Sequence, residues 1–146
     1  MKVRTSIIAA GAAVVLGTTG ALVLPAVASA HSTHTLKFTS VQKASITFAA
    51  NTTFGQQDTD INSTGKTIGF DMLYVKATSA TRAAVNITGD FSGGFLYATG
   101  TINPNTGAFS NGKVTGGTGS FKGATGTITA KPISNTKTAV TVTYST

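Results

Sequence analysis

At 146 residues, with 11 lysines and arginines against 4 aspartates, no glutamate and a formal net charge of +7, the chain is basic and long enough for one modest domain. The absence of cysteine excludes disulfides, metal thiolates and a thiol nucleophile. The positive charges fall singly, without the run or basic helix that marks a nucleic-acid footprint, so no nucleic-acid partner is expected.

Residues 1–30 have the layout of a secretory signal peptide. Lys2 and Arg4 precede an apolar stretch from Ile7 to Leu24, and Pro25 leads into Ala28-Ser29-Ala30. The apolar stretch approaches the length of a membrane anchor, but Gly17-Thr18-Thr19-Gly20 interrupts it and a cleavage-type A-x-A follows directly. The sequence therefore predicts a secreted protein, cleaved after Ala30 or after Ala28, with no stable membrane span afterwards and a single domain at 31–146. Cleavage after Ala30 would place a free amine beside His31 and His34, a nitrogen set that could take copper; a frayed, solvated terminus is the plainer reading, and no metal is expected.

Beyond residue 30 the apolar period is two almost everywhere, so the chain is read as all-β. Leu36 and Phe38 alternate with Lys37 and Thr39, and Ile46 and Phe48 flank Thr47, as in half-buried strands. Asn51 to Gly65 reads as a polar loop, with Asp58 and Asp60 as ordinary solvated carboxylates. Ile68 to Val75 is apolar on both faces except for Asp71. A carboxylate there would be desolvated, its pKa raised, and would need either a hydrogen-bonding partner in the backbone or a task. Arg82 follows Thr81 in an expected loop, as a solvated charge or an anion clamp at a barrel mouth. Gly89-Asp90 reads as a short turn. Tyr97 alternates with Phe95 on a central strand and is expected in the core or a ligand pocket. Asn103-Pro104-Asn105-Thr106-Gly107 is a hairpin signal.

The segment Val114 to Ala130 carries glycines at 116, 117, 119, 123 and 126 and reads as strand, tight turn, strand. Pro132 marks a break before a last strand holding Val140, Val142 and Tyr144. Short strands at spacings near ten residues suggest a sandwich or an up-and-down barrel, and closure would remove exposed edges.

Gly116 to Gly126, GGTGSFKGATG, resembles the GGTGxFxxAxG segment of dirigent proteins and the GGAGxFxGAxG of allene oxide cyclases. Gly89 to Gly100 is similar to the dirigent pattern of glycine, aromatic, glycine, leucine and glycine, and Leu73-Tyr74-Val75 resembles an LYV that both groups carry on an early strand. This resemblance implies an eight-stranded antiparallel β-barrel with an apolar interior, in a family that guides ring closure or coupling of small hydrophobic molecules, and it admits a homo-oligomer. It also places Asp71 where the cyclases have a pocket asparagine. Other family positions differ: Ile102 stands where dirigents carry an acid, Ser110 where they carry an arginine, and the cyclases' glutamate and cysteine have no counterpart.

Two readings remain. In one, a secreted barrel binds a small apolar molecule or serves a structural or cell-surface role without chemistry. In the other it is a cyclase, isomerase or coupling guide. The expected site residues are Asp71 as catalyst and Tyr97 and Arg82 as ligand contacts, with no cofactor.

Overall fold

The computed structural model describes residues 31–48 and 52–146, so the signal-peptide reading of residues 1–30 lies outside the described residues. Eight strands follow one another: β1 (Thr33–Thr47), β2 (Thr53–Ile61), β3 (Thr67–Ser79), β4 (Arg82–Phe91), β5 (Gly94–Ile102), β6 (Phe109–Gly117), β7 (Thr125–Ser134) and β8 (Lys137–Ser145). Each pairs antiparallel with its sequence neighbour, and β8 pairs with β1 to close the barrel. The expected eight-stranded antiparallel barrel is therefore the observed fold. Closure leaves no strand edge to guard, which suits a chain without disulfides.

One end of the barrel is a packed floor. Between β6 and β7 the chain makes a 3-10 turn at Gly119–Phe121, which drives the Phe121 ring inward. Phe121 packs against Phe91 at 6.1 Å and Tyr144 at 5.5 Å, and Phe91 against Phe38 at 5.5 Å. The glycines of this segment have specific reasons. Gly119 has φ +56°, and a Cβ on it would lie 2.0 Å from the Gly93 carbonyl oxygen, which accepts a hydrogen bond from Ser120 N. A Cβ on Gly126 would lie 2.0 Å from the Thr143 carbonyl oxygen, so glycine lets β7 approach β8. Phe91 in turn occupies the space a side chain would need at Gly69 and Gly89, where an added Cβ would come within 2.6 Å of its ring.

Several sequence expectations are corrected here. Asn51 to Gly65 is not a loop: most of it is β2, whose inward side chains after Phe54 are Gln56, Asp58 and Asp60 and so carry no apolar alternation. Gly89 and Asp90 lie within β4, and the turn falls at Ser92-Gly93. Pro132 does not break the chain before the last strand; β7 runs through it, with a register shift between Pro132 and Ser134. Ile46 and Phe48 are 59% and 47% exposed because an extra residue, Lys43, bulges from β1 between Gln42 and Ala44 and reverses which residues face inward.

Candidate functional site

Above the aromatic floor the barrel encloses a cavity of about 430 Å³. Its walls are mainly apolar, with Phe38, Leu73, Leu96, Ala98, Ile128 and Val140 among the lining residues. The mouth is at the end carrying the β5–β6 and β7–β8 connections. Asn105, Thr106 and Gly107 line the cavity there, and Asn105 Nδ2 donates to the Ala80 carbonyl at 3.3 Å, tying the β5–β6 loop to the β3–β4 turn.

The polar part of the cavity is built on β1, β2 and β3. The tight β2–β3 connection sets the register: Asn62 Oδ1 accepts hydrogen bonds from Thr64 N, Thr64 Oγ1 and Lys66 N at 3.0, 2.7 and 3.0 Å. With that turn fixed, Asp58 of β2 stands directly opposite Asp71 of β3, and Asp60 opposite Gly69. All three carboxylates face inward and are buried, Asp60 completely. Like charges on facing strand positions repel, so the arrangement is costly unless donors or protons offset it.

Donors are unevenly distributed among the three. Gln56 Nε2 donates to both oxygens of Asp58, at 2.9 and 2.8 Å. Ser40 Oγ lies 2.7 Å from Asp58 Oδ2 and 3.2 Å from Asp71 Oδ2, but a hydroxyl has one proton and serves the nearer oxygen better. Asp71 Oδ1 and both oxygens of Asp60 meet no donor.

A proton on Asp60 resolves part of this deficit, because a neutral carboxyl can donate to Asp71. Burial first, then the charge of Asp71, pushes the Asp60 carboxyl up to about 9. Burial, then the charge of Asp58, pushes Asp71 up to about 6, although hydrogen bonds from Asp60 and Ser40 pull the other way. Near neutral pH the cluster thus holds one proton on Asp60, with Asp71 ionised and exchanging its proton close to physiological pH.

The sequence-predicted residues separate. Asp71 lines the cavity. Tyr97 does not: it is 38% exposed and faces outward, while its neighbours Leu96 and Ala98 face in, so its expected place in the core or pocket is corrected. Arg82 begins β4 at the mouth end, exposed, and borders a separate shallow hollow with Ile102, Asn103 and Ser110 rather than the cavity. His34 stacks on Tyr144 at 5.3 Å, and His31 Nδ1 lies 3.3 Å from the Thr146 carbonyl, both at the floor end. Among the described residues, no group of three or more His, Cys, Asp or Glu could hold a metal ion.

Ser40 and Gln56 belong to the site and escaped the sequence reading, and the reading of Asp58 and Asp60 as solvated carboxylates is corrected, since both are buried side chains of β2. The signal was present in Gln56-x-Asp58-x-Asp60, three polar residues at the period of a strand, facing Asp71 across one turn.

The chain is similar to the solved structure of a pyocyanin demethylase, with a TM-score of 0.63, 16% identity, and coverage of 76% of this chain and 99% of that one. At that identity the likeness is one of fold. The sequence matches no protein-family model and no curated protein.

Proposed function

We propose that this protein is a secreted binding barrel that holds a small, largely apolar molecule in its interior and turns the molecule's polar end toward Asp71. The observation that carries this reading is the cavity itself, at the scale of small-ligand sites, apolar around most of its wall and polar at one buried cluster with an oxygen lacking a donor. The pattern of residues 1–30 supports export. The structural neighbour's name, which has it acting on pyocyanin, supports a small-molecule role for this barrel shape.

Uptake of the neutral apolar dye N-phenyl-1-naphthylamine tests this. Its fluorescence is expected to rise on binding to the wild type. The double variant Ala98→Trp/Ala130→Trp, which puts two indoles into the cavity wall, should lose the signal while keeping a β-sheet circular dichroism spectrum. Equal uptake by the folded double variant would show that the dye sits elsewhere and would overturn the reading.

A second reading, favoured by Asp71 being held near 6, is proton-transfer chemistry of the isomerase, cyclase or coupling-guide kind that the dirigent and allene oxide cyclase resemblance implies. A carboxylate tuned toward neutral pH and facing an apolar cavity can act as a general base, a role worth roughly 10²–10⁴-fold in rate. For any substrate turned over, kcat/KM should climb as pH rises through about 6, and Asp71→Asn should lower it by about that factor. An unchanged rate in a folded Asp71→Asn protein would remove Asp71 as the base.

A further inference from the structure

Of the chain's four acidic residues, three converge on the interior: Asp58 and Asp71 line the cavity, and Asp60 is buried against them. Every lysine and arginine among the described residues is exposed, and none lines the cavity. Among the described residues the acidic groups inside are thus matched by no basic one, and the outer surface carries every positive charge with Asp90 as its one acidic group. Solubility needs nothing of the kind. A buried carboxylate is costly unless a cation or sufficient donors meet it, and Asp71, 6% exposed, lines the same cavity while one of its buried oxygens meets no donor.

The rest of the wall adds to this. Phe38, Phe54, Phe91 and Phe109 all line the cavity, and phenyl faces attract cations as well as apolar groups. We infer that the ligand is an organic monocation, a protonated amine or a nitrogen-heterocyclic cation on an apolar ring body, with its charged nitrogen held between Asp58 and Asp71. This rests on the binding reading proposed above and narrows it to a chemical class.

The geometry makes the class selective in two ways. A neutral ligand leaves Asp58 and Asp71 repelling each other across facing strand positions, whereas one positive charge between them offsets both. An anionic ligand adds a third negative charge to a site with no cation to receive it. The apolar walls and the absence, among the described residues, of a metal-holding group of side chains favour an organic cation over a bare metal ion.

Three naphthalene probes that differ only in the group on one ring carbon test the inference: 1-naphthylmethylammonium, 1-naphthylmethanol and 1-naphthoate, titrated calorimetrically into the full protein at pH 7.5. The ammonium should bind at least tenfold more tightly than the alcohol, and the carboxylate should bind weakest. In Asp58→Asn and Asp71→Asn the ratio of ammonium to alcohol affinity should fall toward one. Asp90→Asn, at the chain's exposed aspartate, should keep the wild-type ratio.

The ratio should also grow between pH 5 and 7.5 as Asp71 ionises. The groups facing Asp71 are Asp58 and Asp60 on β2, Ser40 on β1 and Gly89 on β4, so no cation competes for it. Alcohol binding equal to or tighter than ammonium binding would overturn the cation inference alone and leave the binding reading standing. No binding of any probe would overturn both.

Discussion

Resistance to urea is expected to be greatest at or below about pH 4 and to fall as pH rises toward 9, the reverse of the usual behaviour of aspartate-stabilised folds. Asp60 is held at about 9 in the folded barrel, well above the ordinary carboxylate value that it regains when unfolded. Between those values the folded state keeps a proton that the unfolded state has released. Folding stability therefore carries the full benefit at low pH and loses it as pH climbs through the window. One proton difference is worth about 1.4 kcal/mol per pH unit, so the loss across the window amounts to several kcal/mol. Asp71, raised to about 6, adds a smaller loss of the same sign in the acidic part of that range.

Urea midpoints at pH 5, 7 and 9 read this directly. The wild-type midpoint should drop at each step, and Asp60→Asn, which has no proton to lose, should flatten the drop between pH 7 and 9. A midpoint that rises from pH 5 to pH 9 would mean that the three carboxylates are ionised and satisfied in the folded state.

The second large effect is expected at the floor. Phe121→Ala should destabilise the barrel by about 3–5 kcal/mol, the usual range for removing a buried aromatic ring. Phe121 is 5% exposed and joins Phe91 to Tyr144, so its loss opens a hole between β4 and β8 where neighbouring strands are held by closure and cannot collapse inward. The β6–β7 seam beside it is already the shortest in the barrel, with only Lys113 facing Thr127 and Val114 facing Gly126 in register. Tyr97→Ala, on the outer face, should cost no more than about 1 kcal/mol. Chemical denaturation of the two variants against the wild type compares them. Equal costs would contradict the assignment of inside and outside on β5 and in the turn.

The all-β class was legible because some of the turns and several of the strands announce themselves, whereas the closed eight-stranded barrel was expected only from the dirigent and allene oxide cyclase resemblance. The glycines from 116 to 126, the Asn103 to Gly107 turn and the alternation of Val140, Val142 and Tyr144 all have the expected structure. The site was legible only at Asp71, because that residue interrupts an apolar strand. Its partners on β2 were hidden by the same property that makes them a site: Gln56, Asp58 and Asp60 line the interior with polar groups, so the strand lacks the apolar alternation by which strands are recognised.

Tyr97 shows a different limit. Phe95, Leu96, Tyr97 and Ala98 are apolar on both faces, and period alone cannot say which face is inside. The strand register turns Leu96 and Ala98 into the cavity and leaves the two aromatic rings on the outer surface. At Ile46 and Phe48 a single bulged residue, Lys43, reversed an otherwise sound alternation.

The central claim is that a small apolar molecule occupies the interior beside Asp71. An amide chemical-shift titration of the 15N-labelled protein with 1-naphthylmethylammonium tests it most directly. Shifts should concentrate at Phe38, Ser40, Asp71, Leu96, Ala98 and Val140, while the outward-facing Phe70, Met72 and Tyr97 stay in place. Shifts confined to that outer face, or none at all at millimolar probe, would contradict the account.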